Sequence, residues 1–81
     1  MTLYQFNALA DFEKAEAVWE GTLVGHREDG FYHVVLYQID SFYVEVYYHK
    51  TANVILRFRS FSTTTYLDPY LHQINISEIF N

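Results

Sequence analysis

The sequence predicts an α+β domain: an N-terminal helix packed on a four-stranded antiparallel β-meander, followed by a short C-terminal helical turn. Three observations carry this. From Phe31 to Phe61 the chain reads FYHVVLYQIDSFYVEVYYHKTANVILRFRSF, dense in the β-branched and aromatic residues that suit a pleated surface. Turn chemistry punctuates that run and the residues just before it. Upstream, apolar residues recur at helical spacing.

Taken in order, Asn7 is expected to cap a helix running to Glu20, with Gly21 as its stop. Ala8, Phe12, Ala15 and Trp19 fall on one stripe, flanked by Leu9 and Val18, while Asp11, Glu13, Lys14 and Glu16 lie off it. Phe12 and Trp19 are the expected anchors on the sheet. Asp29-Gly30 is the strongest hairpin signal and adds a strand from Thr22 to Glu28. Asp40-Ser41 reads as a two-residue turn, and Thr51-Ala52-Asn53 as a longer one with Asn53 suited to positive φ.

These loops set the register. Val35 is expected opposite Val46, His33 opposite Tyr48 and Tyr37 opposite Val44; Val46 then faces Phe58, and Tyr48 faces Leu56. With Thr22, Val24 and His26 these residues form the core face, because side chains alternate with period two. The opposite face collects Leu23, Gly25 and Arg27 with Tyr32, Val34 and Leu36. It continues through Tyr43, Glu45, Tyr47 and His49 to Ile55, Arg57, Arg59 and Phe61. There Glu45 meets Arg59 and Tyr47 meets Arg57, a salt bridge beside a cation–aromatic contact. Beyond the polar Ser62–Thr65, Asp68 reads as an N-cap before Pro69 at the first position of a short helical turn. The tail from Ile74 to Phe80 alternates weakly, tied down by Ile74, Ile76 and Ile79.

At 81 residues the chain reads as one complete domain, residues 1–81. That is near the size where about 60–65% of the unfolded surface is buried on folding. A hydrophobic share of 51% argues for a folded chain. With no cysteine, disulfides and thiolate metal sites are excluded. No long apolar run or signal pattern occurs, so the expected compartment is the cytoplasm. A net charge of −5 argues against nucleic acid, and the helix-first order does not match the RRM pattern. Acidic side chains crowd residues 1–29, six against two basic, whereas Lys50, Arg57 and Arg59 form a small basic cluster.

Sites of chemistry are scarce. No G-x-S-x-G elbow, phosphate loop or H-E-x-x-H helix occurs, which points away from an enzyme. His26 and His33 are expected as cross-strand neighbours, but no carboxylate shares their face and a third ligand is missing; His49 and His72 complete no set. No metal or cofactor is expected. The informative feature is the second sheet face, apolar and tyrosine-rich where a solvated face would be polar. Tyr32, Val34, Leu36, Tyr43, Tyr47, Arg57, Arg59 and Phe61 are its expected interface residues. The competing reading folds Tyr66, Tyr70, Leu71 and Ile74 back over it. The expected function is therefore a small non-enzymatic interaction module that binds another protein or, most simply, forms a homodimer through that face. The alternative is a small-ligand binder with a pocket between helix and sheet, lined by Phe12, Trp19, Tyr37 and Tyr48.

The run YQIDSFYVEVYYHKTANVILRFRSF followed by LDPYL resembles small bacterial proteins of similar length, with a helix ending near a Trp, an FYVEVYYH meander and an LxPYL turn. The resemblance spans nearly the whole chain, implies a single domain and carries no activity.

Overall fold

A computed structural model describes residues 1–52, 54–62 and 64–70 of the chain. The architecture is α+β, with N-terminal helices followed by a four-stranded antiparallel meander. Its elements are α1 (Leu3–Asn7), α2 (Asp11–Trp19), β1 (Thr22–Asp29), β2 (Tyr32–Ile39), β3 (Phe42–His49), β4 (Ile55–Phe61) and a 3₁₀ helix (Thr64–Tyr70). The strands lie in the order β1-β2-β3-β4, so β1 and β4 are the edges.

The single helix expected from Asn7 to Glu20 is in fact two. Thr2 caps α1 in a reciprocal box: its hydroxyl accepts from the Gln5 N–H, and the Gln5 side chain accepts from the Thr2 N–H. The chain leaves helix at Ala8–Ala10, and the Glu13 carboxylate accepts from the Ala10 N–H to start α2. Asn7 is thus no cap; its side-chain oxygen accepts from the Ser60 hydroxyl at 2.6 Å and ties α1 to β4. The break also turns α2. Ala15 and Val18 point inward, while the expected anchors Phe12 and Trp19 are 69% and 62% exposed. At about 100° per residue, this is a rotation of roughly 60° from the stripe the sequence suggested.

The core between helices and sheet is built on Phe6, Val18, Ile39, Phe42, Val44 and Val46, with Leu3, Leu9, Ala17, Tyr37, Tyr48, Ile55 and Phe58 packed around it. Phe6 sits at the centre, its ring 5.7 Å from that of Phe42 and 6.3 Å from that of Phe58. The helices cover the end of this face near Ile39 and Phe42. Toward the other end Val35, His33 and Tyr48 are half-buried, and His26 is exposed.

Tight contact accompanies the exit from α2. A Cβ added at Gly21 would lie 2.7 Å from the Gln38 carbonyl oxygen and 3.1 Å from Ile39 Cγ1, so the role of this glycine is close approach of backbones as well as a helix stop. Gly21→Ala is expected to destabilise the fold by about 1–3 kcal/mol, since backbone must shift to admit the methyl group. A urea unfolding midpoint unchanged from wild type would refute it.

The expected pairings of β2 with β3 are observed, as are Glu45 with Arg59, Val46 with Phe58 and Tyr47 with Arg57. Asp40 takes the positive φ of 51° that a two-residue turn requires, and Gly30 takes 60° in the β1–β2 turn. Two bulges alter the rest. One lies in β4, where Tyr48 pairs with Ile55 instead of Leu56, and Leu56 is left half exposed. The other lies in β1 between Leu23 and Gly25. Because one extra residue reverses the alternation, Leu23 moves to the helix-bearing face opposite Tyr37, and Thr22 pairs with Gln38 on the second face. Val24 packs with the second-face cluster. Asn53, expected at positive φ, lies outside the described residues.

Pro69 lies inside the 3₁₀ helix, which begins at Thr64, and not at the first position of a helix capped by Asp68. Its fixed φ near −65° fits 3₁₀ geometry. Leu67 and Tyr70 are fully buried and seat this helix on Leu36, Tyr43 and Phe61. Leu71, His72, Ile74, Ile76 and Ile79 lie outside the described residues.

Candidate functional site

The second sheet face is largely closed by the chain itself. Of the eight residues expected at an interface there, Val34, Leu36, Tyr43, Tyr47 and Phe61 are buried. Arg59 is half-buried, and Tyr32 and Arg57 are exposed. Leu67 and Tyr70 close it over Leu36, Tyr43 and Phe61; of the residues in the competing reading Tyr70 is seated there and Tyr66 is 44% exposed, while Leu71 and Ile74 lie outside the described residues.

Beneath that cover lies a charged cluster around Glu45, whose residue is 1% exposed. Glu45 Oε2 accepts from Tyr70 OH at 2.7 Å and from Arg27 Nη2 and Nε at 3.0 and 3.2 Å. Oε1 accepts from Arg59 Nη1 at 3.3 Å. Arg27 also donates to the Tyr47 and Tyr70 hydroxyls at 3.1 and 3.2 Å, and pairs with Asp29 at 3.2 Å. Burial pulls the Arg27 guanidinium pKa down, but bonds to Glu45, Tyr70 and Asp29 outweigh it and hold it above the ordinary value. Burial, and then the bond to Glu45, push the Tyr70 hydroxyl well above a normal tyrosine. Among the described residues no buried side-chain nitrogen or oxygen lacks a partner. With donors on both of its oxygens, the Glu45 carboxylate ties the C-terminal turn, through Tyr70, to Arg27 of β1 and Arg59 of β4.

Sequence reasoning found the Glu45–Arg59 pair and set Tyr70 among the residues that would cover this face, but missed Arg27 and the Tyr70–Glu45 bond. The signal for Arg27 was present: it shares the second face with Glu45 two strands away, across Val34 and Leu36, a span that only a side chain as long as arginine bridges. Tyr70 arrives through a long connection, which no periodicity encodes.

The helix-bearing side is the open one. Phe12 and Trp19, seven residues apart, project from one face of α2. Leu23, carried over by the β1 bulge, is 63% exposed on the same side of the sheet. Tyr37 and Tyr48 are half-buried against the core; burial, and then Tyr48, raise the pKa of the Tyr37 hydroxyl. Between α2 and β4 is a cavity of about 230 Å³ lined by Asp11, Phe12, Ala15, Ile55, Leu56, Arg57 and Phe58. Of the four residues expected to line a ligand pocket, Phe12 alone borders it.

At the far end of that face the rings of His26 and His33 lie 5.6 Å apart. The register places them diagonally, since His26 pairs with Val35 and His33 with Glu28. A carboxylate does share this face, contrary to expectation. Glu28 Oε1 is 2.7 Å from His33 Nδ1, and its Oε2 pairs with Lys50 at 2.9 Å. The bonds from Lys50 and then His33 hold the Glu28 carboxyl below its usual range. His49 is committed elsewhere: its Nδ1 accepts from the Thr51 and Ala52 N–H groups. No group of three or more His, Cys, Asp or Glu among the described residues is placed to hold a metal ion. No helix among them is long and apolar enough to cross a membrane.

Comparison with protein-family models, with curated proteins and with solved structures finds no match.

Proposed function

We propose that this chain is a small non-enzymatic protein-interaction module that docks through the helix-bearing side of its sheet, with a second copy of itself as the simplest occupant. The supporting observation is the pair Phe12 and Trp19, large apolar side chains turned outward from one face of α2, with Leu23 exposed on the same side of the sheet. Aromatic residues on such a patch are typical anchors of protein interfaces. Pairing through the second face, the arrangement the sequence favours, would require lifting Leu67 and Tyr70 and breaking the Tyr70–Glu45 bond. The outward aromatics need no such rearrangement.

Trp19 is the chain's single tryptophan and reports directly on this surface. Light scattering across a wide concentration range is expected to show the mass rising toward a dimer, while Trp19 emission shifts to the blue. Phe12→Ser should keep the chain folded and monomeric over the same range. A rise in mass with unchanged emission, or one unaffected by Phe12→Ser, would remove this surface as the interface.

A second reading, small-ligand binding, rests on the cavity between α2 and β4. Its volume of about 230 Å³ falls below the ~300–1,000 Å³ usual for ligand pockets, which favours docking of a protein. A metabolite that raised the melting temperature by mass action would reverse that preference.

A further inference from the structure

The outer edge of β4 offers a different kind of site, adjoining the helix-side surface at Phe12. Among the described residues no strand pairs with it. Its outward N–H and C=O groups are therefore a template for another extended segment. Edge strands of this kind are often guarded, and β4 carries two guards: the bulge at Leu56 and the two arginines. The bulge lies near the start of the strand and leaves Arg57–Phe61 in regular pairing with β3. The arginines discriminate between partners instead of excluding all of them.

Two copies of β4 brought edge to edge about Phe58 would set Arg57 opposite Arg59 of the second copy, on one face. Like charges directly opposite destabilise a pair. An acidic strand meets the reverse situation. Arg59 is engaged with Glu45 and lies over the Tyr66 ring at 4.2 Å. Arg57 stacks on Tyr47 at 4.1 Å, is exposed, and has no carboxylate within ion-pair distance among the described residues. On the other side of the same edge lies the cavity bounded by Phe12, Ala15, Ile55 and Phe58. A strand added here would alternate, with one side chain beside Arg57 and the next toward that apolar cavity. The fold already contains this pattern in β3, where Glu45 between Val44 and Val46 is what β4 pairs with on its inner side.

We infer that the outer edge of β4 accepts an extended segment of another protein in which acidic and apolar residues alternate, the acidic side chain pairing with Arg57. The test uses the full chain and short fluorescein-labelled peptides, one alternating valine with glutamate and one alternating valine with lysine, read by fluorescence anisotropy. The glutamate peptide should bind and the lysine peptide should not. Alternate N-methylation of the glutamate peptide, which removes the backbone donors, should abolish binding. Arg57→Glu should weaken the glutamate peptide at least tenfold, and Arg57→Lys should restore most of the affinity. Equal binding of the two peptides, binding that survives N-methylation, indifference to Arg57→Glu, or no binding of the glutamate peptide would each overturn the inference. The two surfaces meet at Phe12, but the scattering experiment reads the mass of the chain alone and the anisotropy experiment reads Arg57 and the peptide backbone, so either proposal can fail without the other.

Discussion

Replacing Glu45 by alanine is expected to destabilise the fold by about 3–5 kcal/mol, because it leaves buried donors without their acceptor. Arg27 loses the carboxylate that compensates its desolvation, and the Tyr70 hydroxyl loses its 2.7 Å bond. A domain of this size holds only about 4–12 kcal/mol in all, so the substitution consumes much of it. The cost is one of incompleteness. A buried pair assembled in full often gains little over an apolar equivalent, whereas removal of one member strands the others. Glu45→Leu combined with Arg27→Met and Tyr70→Phe should therefore recover much of the loss, a non-additivity expected of residues in one network. Urea unfolding followed by far-UV circular dichroism measures each variant. A loss below about 1 kcal/mol for Glu45→Ala would mean the cluster is open to water and the C-terminal turn is not seated as described.

The sheet was legible in the sequence because its information is local. Each hairpin has its own turn signal, and a central strand as regular as FYVEVYYH admits one register that keeps Glu45 and Tyr47 beside the arginines. The bulges were not legible. They arise where an edge strand slips by one residue to satisfy packing on both faces, and nothing in Leu23-Val24-Gly25 apart from the glycine marks it. This one event exchanged the faces of Leu23 and Val24, so that Leu23 lies on the open side and Val24 packs on the closed one. The candidate surfaces shifted for the same kind of reason. An apolar second face was read correctly from alternation, but what covers it includes Tyr70, 25 residues from the Glu45 it bonds. Contacts across such a connection have no periodic signature, and only the chemistry of Tyr70 and Leu67 hints at them. With the second face closed by Leu67 and Tyr70, the large exposed apolar side chains Phe12 and Trp19 lie on the side the helices cover only in part.

The second large effect is expected at Phe6, a residue outside the helix that periodicity suggested. Phe6→Ala should cost about 3–5 kcal/mol, the usual range for deleting a buried phenylalanine and leaving a cavity. Phe6 is fully buried between Phe42 and Phe58, and it is the only fully buried residue of α1. Its loss should therefore also detach α1 from the sheet, with Asn7 losing its hold on Ser60. Phe12→Ala provides the contrast. The side chain is mostly exposed, and alanine is the better helix former, so the change should lie within about 0.5 kcal/mol of neutral or slightly stabilise α2. The two substitutions remove the same atoms from neighbouring helices and differ only in which way the ring points. Parallel urea titrations decide between one continuous helix anchored by Phe12 and the two-helix arrangement anchored by Phe6: the first predicts the large loss at Phe12, the second at Phe6. A large loss at Phe12 with little at Phe6 would overturn the break at Ala8–Ala10 and, with it, the outward-facing surface on which docking through Phe12 and Trp19 depends.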